Sequence, residues 1–258
     1  MLKSMLLILS TSYFAWYMER FEISMIYPFD STYATPEVAG EPRMRETRFA
    51  TGDGEELVVW RAEAEPGKPT VLYLPGNAGG LKDRTDRFAR LIDRGYGVTA
   101  MAYRGSSGST GQPDEAALTK DATDLARAET GAPLILYGES LGTAVAIKLA
   151  AAGLGDGVVL EAPFTSIIAL IASQYPNETL EHLVTQRWNS LESVSSVKQP
   201  LLIVHGQDDK LVPVWMGRMI FDAAGSPEKQ FLEIVDRGHS GLWTVETQGA
   251  LFEFLEGR

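Results

Sequence analysis

A serine stands at the centre of a Gly-x-Ser-x-Gly pentapeptide. Ser140 lies between Gly138 and Gly142, after the apolar run Leu134–Tyr137 and before a segment of helical character. A chain that turns from strand to helix within about one residue holds the central serine in a strained conformation, with its hydroxyl at the carboxyl edge of the sheet. Glycine on both sides removes the Cβ atoms that would block so tight a turn. The pattern predicts a nucleophilic serine.

A serine hydroxyl is a poor nucleophile at neutral pH, so it needs a base, and the base needs an orienting group. The chain has three histidines. We favour His239 as the base because it lies on a Gly-rich loop just after the last predicted strand. His205 ends a predicted strand and is expected to be a packed, hydrogen-bonded core residue. His182 is expected on a solvated helix face.

The orienting acid is expected just after His205, where Asp208 and Asp209 are adjacent. One of them should reach His239, and the spacing alone does not choose between them. The chain order of serine, aspartate and histidine is that of the α/β-hydrolases rather than of the chymotrypsin or subtilisin arrangements.

These side chains must be positioned by a fold that 258 residues can build as one domain of ordinary size. Short apolar runs bounded by Gly or Pro alternate with helical patterns, which is typical of parallel strands buried on both faces. The prediction is an α/β fold with a mostly parallel central sheet covered by helices on both faces. An N-terminal hairpin of Arg43–Ala50 and Glu56–Ala62 is predicted before the parallel strands. The apolar insertion 163–199 is expected to be either a lid over the site or a long helical crossover.

From about Arg43 to its C-terminus the chain resembles the α/β-hydrolase fold superfamily, and more narrowly the serine aminopeptidase-like, Bem46-type branch. The resemblance implies that Asp209, the fourth residue after His205, is the acid of a catalytic triad. Besides the Ser140 turn, the matching segments are Leu74–Gly80, Ala102–Ser109, Ala162–Ser166, His205–Asp209 and Gly238–His239.

Acyl transfer also needs N–H donors for the tetrahedral oxyanion. The geometry of the turn gives the first as the backbone N–H of Leu141, at a helix N-terminus whose dipole adds favourable potential. The second should come from the loop after Thr70–Leu74, and the resemblance assigns it to Asn77. The family usually has His-Gly before this asparagine, whereas this chain has Pro75 and Gly76, and we expect the proline to stiffen the loop.

Three other charged residues have less specific interpretations. Glu139 and Glu161 are expected to pack or to form hydrogen bonds rather than to act as acid or base. Arg104 either lines the mouth of a pocket or pairs with a carboxylate. No metal-ligand spacing is present, and neither a metal nor a cofactor is expected. A formal charge of −11 disfavours nucleic acid as a partner, and the absence of cysteine excludes disulfides and a thiol nucleophile.

Residues 1–20 form a hydrophobic N-terminal segment, followed by a connector over 21–42 and the hydrolase domain over 43–258. Ser4–Met18 carries no charge and would span about 22 Å as a helix, short of a hydrocarbon core of roughly 30 Å. Its aromatic cluster resembles an interfacial belt, and members of the branch often carry an N-terminal anchor. We therefore expect membrane contact through residues 4–18; a packing helix or a poorly cleaved export signal are the alternatives.

Together these residues predict a serine hydrolase that cleaves an ester, thioester or amide of a small or lipid-like acyl group through an acyl-enzyme on Ser140. A peptidase or an acyltransferase on the same fold is the first alternative. The second is a membrane-tethered, non-catalytic relative, which would require a degraded triad.

Overall fold

The central sheet of the computed structural model, which describes residues 17–176, 184–256 and 258, has eight strands. The strand order across the sheet is β1-β2-β4-β3-β5-β6-β7-β8. β2 pairs antiparallel with β1 and with β4, and every other neighbouring pair is parallel. The predicted hairpin and mostly parallel sheet are therefore confirmed. The strands are β1 (Arg45–Ala50), β2 (Glu56–Ala62), β3 (Thr70–Leu74), β4 (Gly97–Met101), β5 (Leu134–Glu139), β6 (Gly157–Glu161), β7 (Leu201–Gly206) and β8 (Lys229–Ile234).

Helices cover both faces of the sheet, as predicted. The helices are α1 (residues 17–26), α2 (Thr85–Ile92), α3 (Glu115–Ala128), α4 (Leu141–Ala151), α5 (Ile167–Gln174), α6 (Ser190–Val194), α7 (Val214–Ala223) and α8 (Val245–Glu256). A 3₁₀ turn over Leu81–Arg84 precedes α2. Apolar side chains of α2 and α8 share one core cluster with the sheet, and those of α3, α4, α6 and α7 share the cluster on the other face.

The parallel register places the carboxyl ends of the middle strands at one edge of the sheet. Leu74 of β3 is opposite Gly138 of β5, and Glu139 is opposite Glu161 of β6. The middle strands carry apolar residues on both sides because helices bury both faces. The residues that follow these strands are therefore neighbours in space.

The N-terminal helix continues further than the sequence predicted. α1 ends at residue 26, whereas the connector was expected to begin at residue 21. The reason is a set of contacts with distant parts of the chain. The Glu22 carboxylate accepts hydrogen bonds from the N–H groups of Thr185 and Gln186, and the Asn77 amide donates to the carbonyl of Ile26 at 2.9 Å. These contacts hold the helix against the domain.

Most of the predicted membrane segment, residues 4–18, lies outside the described residues. Within the described residues, no helix combines the length and the apolar character that a membrane crossing requires. The insertion 163–199 contains α5 and α6, and His182 lies in the part that is not described, 177–183. Its action as a lid stays a prediction.

Candidate active site

The turn between β5 and α4 places Ser140 in a strained conformation. Its backbone has φ +49° and ψ −112°, a combination that residues with a side chain rarely adopt. A Cβ atom on Gly142 would lie 2.0 Å from the carbonyl oxygen of Leu74, and one on Gly138 would lie 2.4 Å from that of Gly142. Both glycines are therefore required by close backbone approach, as the sequence predicted.

Three side chains from three loops meet at the carboxyl edge of the sheet. His239 Nε2 lies 3.0 Å from Ser140 Oγ, and His239 Nδ1 lies 2.7 Å from Asp209 Oδ2. Both distances are within hydrogen-bond range. If Asp209 accepts from Nδ1–H, Nε2 is left as an acceptor for the serine hydroxyl, which is the tautomer that a general base requires.

Asp209 is buried, and both of its carboxylate oxygens are engaged. Oδ1 accepts from the N–H groups of Leu211 and Val212 at 2.9 and 2.8 Å, while Oδ2 accepts from His239. Burial alone would raise the pKa of this carboxyl. The nearby His205 ring and hydrogen bonds from His239 and the Val212 backbone outweigh burial and hold the pKa below its usual range. The residue is therefore an anion fixed in position.

The loops after β7 and β8 are joined by backbone hydrogen bonds, which explains how Asp209 reaches His239. The N–H of Asp208 donates to the carbonyl of Arg237 at 2.8 Å, and a Cβ on Gly206 would meet the carbonyl oxygen of Gly238 at 2.3 Å. Asp208 itself is exposed. The choice that spacing left open between Asp208 and Asp209 is thus resolved geometrically, since the histidine contact is made by Asp209.

The two residues from which oxyanion donors were expected, Leu141 and Asn77, line the same cavity as Ser140. Leu141 follows Ser140 at the start of α4, and Asn77 lies on the loop after β3. That loop passes close to the serine, since a Cβ on Gly76 would be 3.3 Å from Ser140 Cβ. Neither the Leu141 nor the Asn77 N–H donates to another described residue. Both groups are thus free to bind an oxygen of a ligand.

A buried ion pair behind the serine connects this loop to the turn. Arg84 donates to both Glu139 oxygens, at 3.0 and 2.9 Å, and also to the carbonyls of Ala78 and Gly80, at 2.8 and 3.0 Å. Tyr73 donates to the same glutamate. Burial would raise the pKa of Glu139, and Arg84 reverses this so that the pKa lies below its usual value. The sequence interpretation missed Arg84, and no local signal marks it, because its partner Glu139 is 55 residues away in the sequence.

The other polar residues singled out from the sequence form ion pairs or hydrogen bonds. Glu161 pairs with Arg87 and accepts from Tyr137 at 2.6 Å. Arg104 pairs with a buried and an exposed carboxylate, Asp121 and Asp53, so it does not line the pocket mouth. His205 is fully buried and contacts the carbonyl of Val212 at 2.9 Å. Across the described residues, no group of three or more His, Asp or Glu side chains is arranged to hold a metal ion.

A cavity of about 450 Å³ opens beside Ser140. Its lining is mostly apolar and comes from α1, α5 and the loop after β7. The sequence interpretation missed the contribution of α1, although Phe21 and Met25 are one helical turn apart and so had to share a face. The lining residues are Met18, Phe21, Glu22, Met25, Ile26, Asn77, Ser140, Leu141, Phe164, Ile167, Leu170, Ile171, Tyr175, Val184, Leu211 and Val212.

The fold and the arrangement at the sheet edge define the class of α/β-hydrolases. A family model described as serine aminopeptidase, S33, matches residues 66–191. An uncharacterized protein of Mycobacterium tuberculosis is 32% identical over 236 residues, which cover 88% of this chain and 82% of that protein. The chain belongs to the α/β-hydrolase superfamily and, within it, to the Bem46-type branch.

Two further relatives are similar in sequence, and a solved structure shares the fold. Protein bem46 of Schizosaccharomyces pombe is 30% identical, covering 69% of this chain and 63% of that protein. Lysophosphatidylserine lipase ABHD12 of Rattus norvegicus is 33% identical over 71% of this chain, which spans only 52% of the lipase. The Pyrococcus furiosus esterase Pf2001 superposes with a TM-score of 0.71 at 20% identity, covering 87% of this chain and 93% of the esterase.

Proposed function

We propose that this protein is a serine hydrolase that cleaves carboxylic esters of long apolar acyl groups through an acyl-enzyme on Ser140. The observation that carries the proposal is the pair of hydrogen bonds from His239, 3.0 Å to Ser140 and 2.7 Å to Asp209, at the wall of an apolar cavity. This is the geometry by which a histidine activates an alcohol while a carboxylate orients the imidazole.

In the first half of the reaction, Ser140 Oγ forms a bond to the ester carbonyl carbon while His239 Nε2 takes the hydroxyl proton. The carbonyl π electrons move to the oxygen, and the Leu141 and Asn77 N–H groups bind the resulting oxyanion. Donors fixed in advance favour this charged intermediate because they need no reorganisation during the reaction. The intermediate then collapses, the bond to the alkoxy oxygen breaks, and His239 gives its proton to the departing alcohol.

In the second half, a water molecule attacks the acyl-enzyme. His239 takes one proton from the water as its oxygen bonds to the acyl carbon. When the second tetrahedral intermediate collapses, the bond to Ser140 Oγ breaks and His239 returns the proton to that oxygen. The products are the carboxylic acid and the free enzyme. Asp209 stays ionised throughout and stabilises the imidazolium that forms twice in the cycle.

The cavity favours an apolar acyl group over a charged amine. Its volume lies in the usual range of small-molecule sites, and its lining is mostly aliphatic and aromatic. A peptidase that binds a free α-amino group needs an available carboxylate. Glu22 lines the cavity, but its oxygens already accept from Thr185 N, Thr185 Oγ1 and Gln186 N at 2.7, 2.7 and 2.8 Å. The lipase name of the rat relative also supports a lipid-like ester.

The proposal is tested by active-site labelling and steady-state kinetics. We expect a fluorophosphonate probe to label the wild type and not Ser140→Ala. The value of kcat should fall about 10⁶-fold in Ser140→Ala and His239→Ala, and about 10⁴-fold in Asp209→Ala. Ser195→Ala, which changes an exposed serine at the end of α6, is the matched control and should behave as the wild type. Equal labelling of wild type and Ser140→Ala would refute the proposal.

The bond type is tested with a substrate panel. The panel consists of p-nitrophenyl esters of increasing acyl length, acyl-thioesters and aminoacyl amides. We expect the longer esters to be cleaved with the highest kcat/KM. Release of a free acid distinguishes hydrolysis from transfer, which would yield a new ester when an alcohol is added. Preferential cleavage of aminoacyl amides would identify a peptidase and contradict the ester proposal.

A further inference from the structure

Four exposed apolar side chains surround the mouth of the cavity. They come from three separate segments: Phe21 and Met25 on α1, Tyr175 just after α5, and Leu211 in the loop after β7. Their exposed fractions are 52%, 64%, 60% and 52%, and all four also line the cavity. We call this set the apolar rim. Large apolar side chains grouped at one exposed site mark a surface that another molecule covers.

The rim is held in place by hydrogen bonds between its segments. The Gln174 amide, at the end of α5, donates to the carbonyl of Lys210 at 2.7 Å and to that of Leu211 at 3.2 Å. On the opposite side, Asn77 and Glu22 bind α1 to the domain. The three segments therefore present their apolar side chains on one surface whose shape is fixed by these hydrogen bonds.

The sequence that precedes the apolar rim indicates what covers it. Tyr17, one helical turn before Phe21 on α1, is also half exposed, so the apolar stripe of this helix runs on towards the N-terminus. The residues that precede it carry no charge from Ser4 onwards, and they include Tyr13, Phe14 and Trp16. The rim is thus continuous in sequence with an uncharged, aromatic-rich segment of the kind that favours a membrane interface.

We propose that the apolar rim lies against a lipid bilayer, so that an acyl chain passes from the bilayer into the cavity without crossing water. Each methylene group of the acyl chain that is exposed to water during transfer from the bilayer to the cavity raises the free energy. A cavity mouth in direct contact with the bilayer avoids this exposure. A second copy of the chain would also cover apolar groups, but it would leave the uncharged segment that leads into α1 without a role. Contact between the rim and a bilayer is a property additional to the proposed function, and it can be tested without measuring catalysis.

The absence of cysteine from the sequence makes site-specific labelling direct. In the full chain carrying Ser140→Ala, Tyr175→Cys and Leu211→Cys each receive a polarity-sensitive fluorophore. The control label is Thr130→Cys, an exposed site before β5 and hence at the sheet edge opposite Ser140. With phosphatidylcholine vesicles we expect a blue shift and protection from a water-soluble quencher at both rim sites, and neither change at the control.

A second measurement uses partition between buffer and the same vesicles. We expect Phe21→Ser combined with Leu211→Ser to weaken partition by about tenfold or more, because two apolar contacts with lipid are lost. Val38→Ser combined with Val245→Ser changes exposed valines that do not line the cavity and should leave partition unchanged.

Two results would overturn the proposal. In the first, the protein floats with the vesicles while both rim labels remain in water, which would assign all lipid contact to the residues before α1. In the second, the rim labels shift without vesicles as the protein concentration rises and the mass doubles, which would assign the surface to a second copy. Because Ser140→Ala is used throughout, neither result depends on whether the protein is a serine hydrolase.

Discussion

At the scale of single residues, Asp209 combines a structural contact with the contact proposed for catalysis. Its Oδ1 accepts from two backbone N–H groups of its own loop, and its Oδ2 accepts from His239. The same carboxylate therefore shapes the loop after β7 and orients the imidazole. An adjacent aspartate could not replace it, because residue 208 is exposed and its backbone is bonded to the neighbouring loop.

This double use predicts a pH-dependent contribution of Asp209 to stability. Its pKa is lower in the folded protein than the unfolded value of about 3.9, so the carboxylate stabilises the fold above that pH, and the contribution is lost as the pH falls. We expect Asp209→Asn to lower the free energy of unfolding by about 1–3 kcal/mol at neutral pH. Urea titrations of both proteins should show the difference narrowing below about pH 3.9.

The matched control is Asp208→Asn, which removes the exposed neighbouring carboxylate. Because this side chain is exposed, the stability of the variant at neutral pH should match that of the wild type. A difference between wild type and Asp209→Asn that stays constant into strong acid would contradict the assignment of a depressed pKa to this group.

Single residues differed in how readily the sequence revealed them. Ser140 and Leu141 were found from a local pattern, because a strand–turn–helix reversal needs glycines at fixed positions. The choice of Asp209 over Asp208 needed the family resemblance, since adjacent residues share the same spacing to every motif. Arg84 was not found, because its partner Glu139 is 55 residues away and only the folded sheet brings them together.

At the scale of elements, the junction of β5 with α4 is the point of closest packing near the site. The amino end of α4 presses against the end of β3, with no room for a methyl group between Gly142 and the carbonyl of Leu74. This contact positions the helix N-terminus, and with it the Leu141 N–H, beside the serine. The strain at Ser140 is retained because the sheet and helix around it are buried.

Two glycines within helices should respond to alanine with opposite signs. Gly142→Ala would place a methyl 2.0 Å from a carbonyl oxygen, so we expect a loss of at least about 2 kcal/mol in unfolding free energy. Gly249→Ala, in α8, meets nothing within 4 Å and should gain about 0.5–1 kcal/mol from helix propensity. Denaturant titrations measure both. No loss of stability in Gly142→Ala would show that the turn tolerates a side chain.

The strands were easier to predict than the extent of the N-terminal helix α1. Apolar runs bounded by glycine and proline gave β3 within its observed bounds, because a strand buried on both faces needs such a run. The extent of α1 was not predicted, since the charges of Glu19, Arg20 and Glu22 indicate an end to the apolar segment. The helix continues because Glu22 binds the insertion, and local sequence does not reveal such a long-range contact.

At the scale of the whole molecule, the site is divided between two parts of the fold. The sheet and its loops supply Ser140, Asp209 and His239, while α1 and α5 supply half of the residues that line the cavity. The two helices are joined to the domain by hydrogen bonds to loops and insertion residues rather than to strands. Substitutions in the cavity wall can therefore change the fit of an acyl group without moving the reacting side chains.

This division predicts that the preferred acyl length can be shortened from α5. Leu170→Trp adds bulk to the cavity wall, so we expect the ratio of kcat/KM for a dodecanoyl ester to that for a butyryl ester to fall about tenfold or more. Ala172→Trp, on the exposed side of the same helix and outside the cavity, should leave that ratio at the wild-type value. Steady-state kinetics on p-nitrophenyl esters measure both variants. An unchanged ratio in Leu170→Trp would mean that the cavity beside Ser140 is not the acyl site.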